Sequence, residues 1–136
     1  MGVPYRVLVD GAAAGLVLTG QVDAVVVGAD RIAANGDVAN KVGTVGHALA
    51  AARAGIPFIV AAPEDTIDLA TASGADIVIE QRPADEVLSF AGQATAPAGS
   101  AAWNPAFDVT LADLVTAIVT ERRTIRPALG GRPDEP

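Results

Sequence analysis

Asp30, Asn40 and Lys41 stand in a single stretch, GADRIAANGDVANKVGT, that covers residues 28–44. Their types suit a reaction in which a proton moves while an anion is held. Asp30 follows the apolar run Ala24-Val25-Val26-Val27 and so belongs at the carboxyl edge of a strand. A carboxylate there, partly desolvated beside the valines, can serve as general acid and base. Asn40 can both donate and accept hydrogen bonds, and the Lys41 ammonium suits a phosphate or a developing oxyanion. Gly43 and Thr44 open a helix whose first backbone N–H groups can receive an anion. Lys41 is also the only lysine among nine basic residues, the other eight being arginine. A chain that otherwise always uses the planar guanidinium keeps a compact point charge at this one place.

Plainer roles compete at each position. Asp30 would equally pair with Arg31 or cap its loop. Asn40 would be a turn residue and Lys41 a solvated cation, since most lysines lie on the surface. Thr44 would be no more than the N-cap of its helix. Asp37 reads as a turn residue, and His47, the only histidine, as a helix-face residue without a partner in sequence. Asp10 ends an apolar run in a suggestive place, but Asp also caps helices. Asp65, Thr66 and Asp68 read as caps of a following helix. With one histidine, no cysteine and scattered carboxylates, no metal site is expected.

The elements that must position these groups alternate between strand and helix. Residues 5–10 (YRVLVD) read as a short buried strand, and 11–18 as a small-residue helix closed by Gly20. Residues 23–28 form the next strand, whose three consecutive valines fit a parallel strand buried on both faces. Asn35-Gly36 is a strong tight-turn signal, which makes 32–38 a hairpin. Residues 44–54 read as a helix with Arg53 near its C-terminal end and Gly55 just beyond, and 57–61 (PFIVA) as a third strand. A short helix over 67–72 and a strand over 76–80 follow. Residues 85–90 are a helical turn or an edge strand, and 93–100 an exposed loop. Thr110-Leu111-Ala112-Asp113 has a capping-box pattern. It is expected to open a helix through 117–121, with Leu111, Leu114, Val115 and Ile118 on one face. Residues 1–127 thus make one α/β domain with an open, mainly parallel sheet and helices on both faces. Residues 128–136 read as a disordered tail. No GxGxxG follows the first strand, so no dinucleotide is indicated. Ligands of such sheets sit beyond the carboxyl ends of the strands, where Asp10, Asp30 and the Ala62-Pro63 turn belong.

Half of the chain is hydrophobic (51%) and only 4% aromatic, so its core is built from Ala, Val, Leu and Ile. No apolar run approaches the ~20 residues that span a bilayer. Met1 is followed by Gly-Val-Pro-Tyr-Arg, not by a basic segment and a long apolar core, and no cysteine is present. A cytoplasmic location is expected. A net charge of −7 argues against nucleic-acid and anionic-membrane partners, which need a basic surface. The apolar excess predicts self-association.

The stretch 28–44 resembles the signature of the methylthioribose-1-phosphate isomerase family. The wider group also holds ribose-1,5-bisphosphate isomerases and regulatory subunits of translation initiation factor 2B. AAPEDTID (61–68) and WNPAFDVTLADLVTAIVTERRTIRP (103–127) resemble the isomerase branch in particular. The resemblance implies a Rossmann-like C-terminal catalytic domain, a sugar-phosphate substrate, a homodimer, and neither redox cofactor nor metal. It implies that Asp30 is the general acid/base and that Asn40 and Lys41 contact the substrate, with Gly43 and Thr44 beside them. The reaction implied converts 5-methylthioribose 1-phosphate to 5-methylthioribulose 1-phosphate in methionine salvage. Full members of the family also carry an N-terminal helical domain, a catalytic cysteine, arginine-containing phosphate loops and a substrate-binding glutamine. None of these is in the 136 residues, so a C-terminal fragment, inactive alone, is the expectation. Two rival readings are a non-catalytic, initiation-factor-2B-like module that regulates or binds sugar phosphates, and a ribose-1,5-bisphosphate isomerase. The single lysine disfavours the bisphosphate.

Overall fold

A computed structural model describes residues 2–135; Met1 and Pro136 lie outside the described residues. In chain order it forms helix α1 (Ala13–Leu18), strands β1 (Val25–Val27), β2 (Arg31–Ala33) and β3 (Val38–Lys41), and helix α2 (Thr44–Ala54). Strands β4 (Phe58–Ala61) and β5 (Ile67–Asp68) follow, then the one-turn helix α3 (Asp85–Leu88). A small hairpin, β6 (Ser89–Phe90) with β7 (Gln93–Ala94), precedes β8 (Phe107–Thr110), β9 (Ala117–Val119) and β10 (Thr124–Ile125). Strands β1, β4 and β9 run parallel, and β10 joins antiparallel at the far edge. This is the expected α/β, Rossmann-like class. A second sheet, ordered β5-β2-β3-β8, mixes parallel and antiparallel pairs and was not anticipated.

Ile32, Val38, Phe58, Val60, Val115, Ile118 and Ile125 form the core between the sheets and α2. Each large aliphatic side chain so buried contributes roughly 1.5–3 kcal/mol. Helix α2 turns Ala48 and Ala51 inward, and small side chains let it lie close to the strands. Gly55 ends it in the left-handed region at φ 70°, as the sequence indicated.

Several elements depart from expectation. Residues 5–10 are exposed and outside any strand, because no described strand offers their backbone a partner. Strand β1 is therefore outermost in its sheet, and Val26 is 64% exposed instead of covered on both sides. The helix expected over 67–72 is replaced by the two-residue β5, paired with β2. Residues 77–80 form no strand; Val78 lies exposed beside the second sheet. The helix expected through 117–121 is instead β9, lodged between β4 and β10. A continuous apolar run fits either state, and the β-branched Ile118 and Val119 suit the central strand.

Beyond Pro127 the chain folds back as far as Glu135, where a disordered tail was expected. The Arg123 guanidinium donates to the carbonyls of Pro133 (2.8 Å) and Glu135 (2.7 Å) and pairs with Glu64 at 2.8 Å. The Thr120 hydroxyl, first, and then Arg123 hold the Glu64 carboxyl below its ordinary range against the opposing effect of burial.

Candidate functional site

The site begins with the β2–β3 hairpin. Gly36 sits at φ 90° and donates its N–H to Ala33 at 2.9 Å, the tight turn expected of Asn-Gly. Arg31 is in register with Ala39, yet the Asp30 N–H also donates to the Ala39 carbonyl, at 2.9 Å. Two residues thus oppose one, the arrangement of a β-bulge, which re-aims a side chain. The bulge places Asp30 against a cavity of about 350 Å³, bounded also by Ala39, Asp76, Ile77, Val78 and Phe107. Phe107 stands opposite Lys41 in register. Alternation along β3 therefore puts Ala39 and Lys41 on the face that carries Phe107, and Asn40 on the other with Asp108.

Of the five predicted residues, Asp30 and Lys41 share that face. Arg31 is committed to Asp68 at 3.0 Å, so the plain reading of an Asp30–Arg31 pair fails. Among the described residues the Asp30 carboxylate has no hydrogen-bond or ion-pair partner, and it is exposed, without the desolvation expected. Lys41 is exposed too. Its charge adds a small pull to the Glu86 carboxyl, which Arg82, as the main cause, holds below its ordinary range.

Asn40, Gly43 and Thr44 gather instead on the opposite side, at the start of α2. The Asn40 amide donates to the Thr44 hydroxyl at 3.2 Å, and that hydroxyl donates to the Lys41 carbonyl at 2.6 Å. Thr44 is buried and is not the N-cap; Gly43, at φ 103°, holds that position. The Gly43 N–H is not free for an anion either. Asp108 accepts it at 2.6 Å and the Val45 N–H at 3.2 Å. A carboxylate from β8, 65 residues away, thus caps α2 and complements its dipole. This role of Asp108 was missed. Asp is disfavoured inside strands, so an Asp between Phe107 and Val109 was the available signal. Asp10 and His47 line a smaller cavity of about 310 Å³ on the other flank of Gly43.

Asp37 does more than turn the hairpin. It is 6% exposed, and its carboxylate accepts hydrogen bonds from Asn35 (2.9 Å), the Gly74 N–H (2.9 Å) and the Ala112 N–H (2.8 Å). Asp68 caps a turn through Ala70 and the Thr71 hydroxyl. These contacts, Thr71 foremost, hold its carboxyl below the usual range. Among the described residues no helix is long and apolar enough to cross a membrane.

A parallel sheet with a bulged acid beyond its first strand is an α/β domain of the kind that holds small ligands at its strand ends. The chain belongs to the initiation factor 2 subunit family (IF-2B), whose model matches residues 1–127. It is 60% identical over 126 residues to the methylthioribose-1-phosphate isomerase of Chloroflexus aurantiacus, matching 93% of this chain and 36% of that protein. It is 61% identical over 132 residues to a probable bifunctional methylthioribose-1-phosphate isomerase/methylthioribulose-1-phosphate dehydratase of Nocardia farcinica, matching 97% and 24%. The solved 5-methylthioribose 1-phosphate isomerase of Pyrococcus horikoshii superposes with a TM-score of 0.87 at 47% identity, over 93% of this chain and 35% of that one. Translation initiation factor eIF-2B subunit delta from A. fulgidus superposes at 0.82 and 40%, over 88% and 35%. The chain therefore spans no more than 36% of the length of any of these relatives.

Proposed function

We propose that this chain is the C-terminal part of an aldose–ketose isomerase that converts 5-methylthioribose 1-phosphate to 5-methylthioribulose 1-phosphate in methionine salvage. One observation carries the reading: an acid without a partner among the described residues, set by a bulge over a cavity, shares a face with the only lysine. C1 of the sugar bears the phosphate, so ring opening cannot give a free aldehyde. Asp30 donates its proton to the ring oxygen as the C1–O bond breaks. The hydrogen on C2 passes to C1 with its electron pair, and the C2 hydroxyl proton returns to Asp30, leaving the ketone. Lys41 balances the phosphate charge, while Asn40, on the other face with its amide on the Thr44 hydroxyl, holds the start of α2.

The exposed Asp30 needs a dry surrounding, which this reading assigns to the portion that the relatives carry beyond the matched segment. The cysteine implied by the resemblance is assigned there as well. The 136-residue chain alone is accordingly expected to show no turnover of 5-methylthioribose 1-phosphate by NMR. Put in place of the matched segment of the Chloroflexus aurantiacus isomerase, it is expected to restore turnover. A folded chimera without activity would refute the proposal and favour a non-catalytic regulatory module, to which the likeness to eIF-2B subunit delta lends some support. In the active chimera Lys41→Ala should raise KM first, with kcat less affected, because the ammonium serves a bound anion.

We further propose that the chain pairs with a second copy. Val26, Leu49, Trp103 and Leu111 are all more than half exposed, an apolar display that a lone small domain seldom carries. Sedimentation at micromolar concentration should show a dimer; a monomer alone would refute this.

A further inference from the structure

Lys41 closes β3 at a point that β2 no longer reaches. The pairing of those two strands ends at Arg31 with Ala39, where the Asp30 N–H also meets the Ala39 carbonyl. Lys41 is therefore held from its other side. Phe107 stands opposite it on β8, and the next residue, Val42, donates its N–H to the Ala106 carbonyl at 3.2 Å. The chain then turns through Gly43, at φ 103°, into α2. A lysine side chain has many rotamers, so its ammonium is no better placed than the backbone that carries it.

One carboxylate organises that backbone. Asp108, opposite Asn40 in register, accepts the Gly43 N–H at 2.6 Å on one oxygen and the Val45 N–H at 3.2 Å on the other. Thr44 lies between the two amides so tied, and it is buried. Its hydroxyl donates to the Lys41 carbonyl at 2.6 Å and accepts from the Asn40 amide at 3.2 Å. The link thus runs from Asp108 through Thr44 to the Lys41 carbonyl. Asp108 stands on the face away from the Lys41 side chain, and both of its oxygens are engaged, so it acts through the backbone and not on a ligand.

We infer that Asp108 is a positioning residue for Lys41: it fixes the turn from β3 into α2, and with it the place from which the ammonium meets the sugar phosphate. The inference rests on the proposed isomerase reading and adds to it the group that gives Lys41 its place. The sign of the effect tells positioning from charge. A carboxylate near a bound phosphate opposes it, so neutralising Asp108 would tighten binding if charge were its role. Positioning demands the opposite. Asn at 108 keeps one acceptor oxygen but sets an NH₂ group against a backbone N–H, and the turn loosens.

In the active chimera Asp108→Asn is expected to raise KM about 10-fold while kcat stays within about threefold of the parent, because a small displacement of a binding group is costly. Thr44→Val keeps the charge and the cap but removes the hydroxyl from the Lys41 carbonyl. It should raise KM in the same direction, and it carries the test if Asp108→Asn fails to fold. With Lys41→Ala already in place, Asp108→Asn should raise KM no further. In the intact chain the NMR order parameter of the Lys41 amide should fall from about 0.85 to below about 0.6 in both variants, with that of Phe58 unchanged. A KM that falls or stays constant in both variants would overturn the inference and leave the isomerase reading standing. So would a Lys41 amide that stays rigid, or effects of Asp108→Asn and Lys41→Ala that multiply. A folded parent chimera without activity would remove the reading and the inference together.

Discussion

Asp30→Asn in the active chimera is expected to lower kcat by ~10²–10⁴-fold while substrate binding stays close to that of the parent. The amide preserves the shape and hydrogen-bonding reach of the side chain but has no proton to give the ring oxygen and no base to take one back. Because Asp30 has no partner among the described residues, the replacement breaks no ion pair, and the fold should tolerate it. That separates chemistry from structure more cleanly here than at most buried acids. Single-turnover measurement of the ketose product by NMR, with the dissociation constant measured in parallel, checks the split. A variant that kept most of its kcat would make Asp30 a loop residue and turn the search toward Asp10, which lies with His47 by the start of α2.

The largest effect on stability is expected at Asp37. Asp37→Ala leaves the Gly74 and Ala112 N–H groups and the Asn35 amide without their acceptor in a site that water barely reaches. Hydrogen bonds to a charged group are worth about 1.5–3 kcal/mol each, and relaxation keeps such losses from adding fully. A net loss of roughly 3–4 kcal/mol is expected, a large fraction of the stability of a domain this size. Urea unfolding of the chain should show a lower midpoint at an unchanged slope. Gly74→Ala tests the same junction by steric means, since a Cβ there would collide with Val109 and press on Asp37. A loss below ~1 kcal/mol for Asp37→Ala would make Asp37 the ordinary turn residue that its neighbourhood in sequence indicated.

The two cases mark what can be read from sequence and what cannot. Asn35-Gly36, Gly55 and the span of α2 follow from local rules, because a turn or a helix end is decided by its own few residues. The position of Asp30 at a strand end was legible for the same reason. The partners of Asp37 and Asp108 are not local. One carboxylate reaches an amide 75 residues on, the other an amide 65 residues back, and only the assembled sheet brings them there. Strand β9 and the exposed segment 5–10 are the converse failure. Their apolar patterns were read correctly as apolar, but a strand exists only where a neighbour accepts its backbone. Residues 117–119 find β4 and β10; residues 5–10 find no described neighbour.

The capping of α2 by a distant strand has a consequence for how the site can be watched. The Gly43 and Val45 amides lie at the head of the helix, where no preceding turn supplies an acceptor, and Asp108 is the acceptor they have. Their hydrogens can exchange with solvent when β8 lifts away, even while the rest of α2 stays wound. In deuterium these two amides should therefore exchange together, at a rate set by the opening of β8 and not by global unfolding. Because β8 also carries Phe107, a wall of the Asp30 cavity, the same pair of protons measures how often that cavity comes apart.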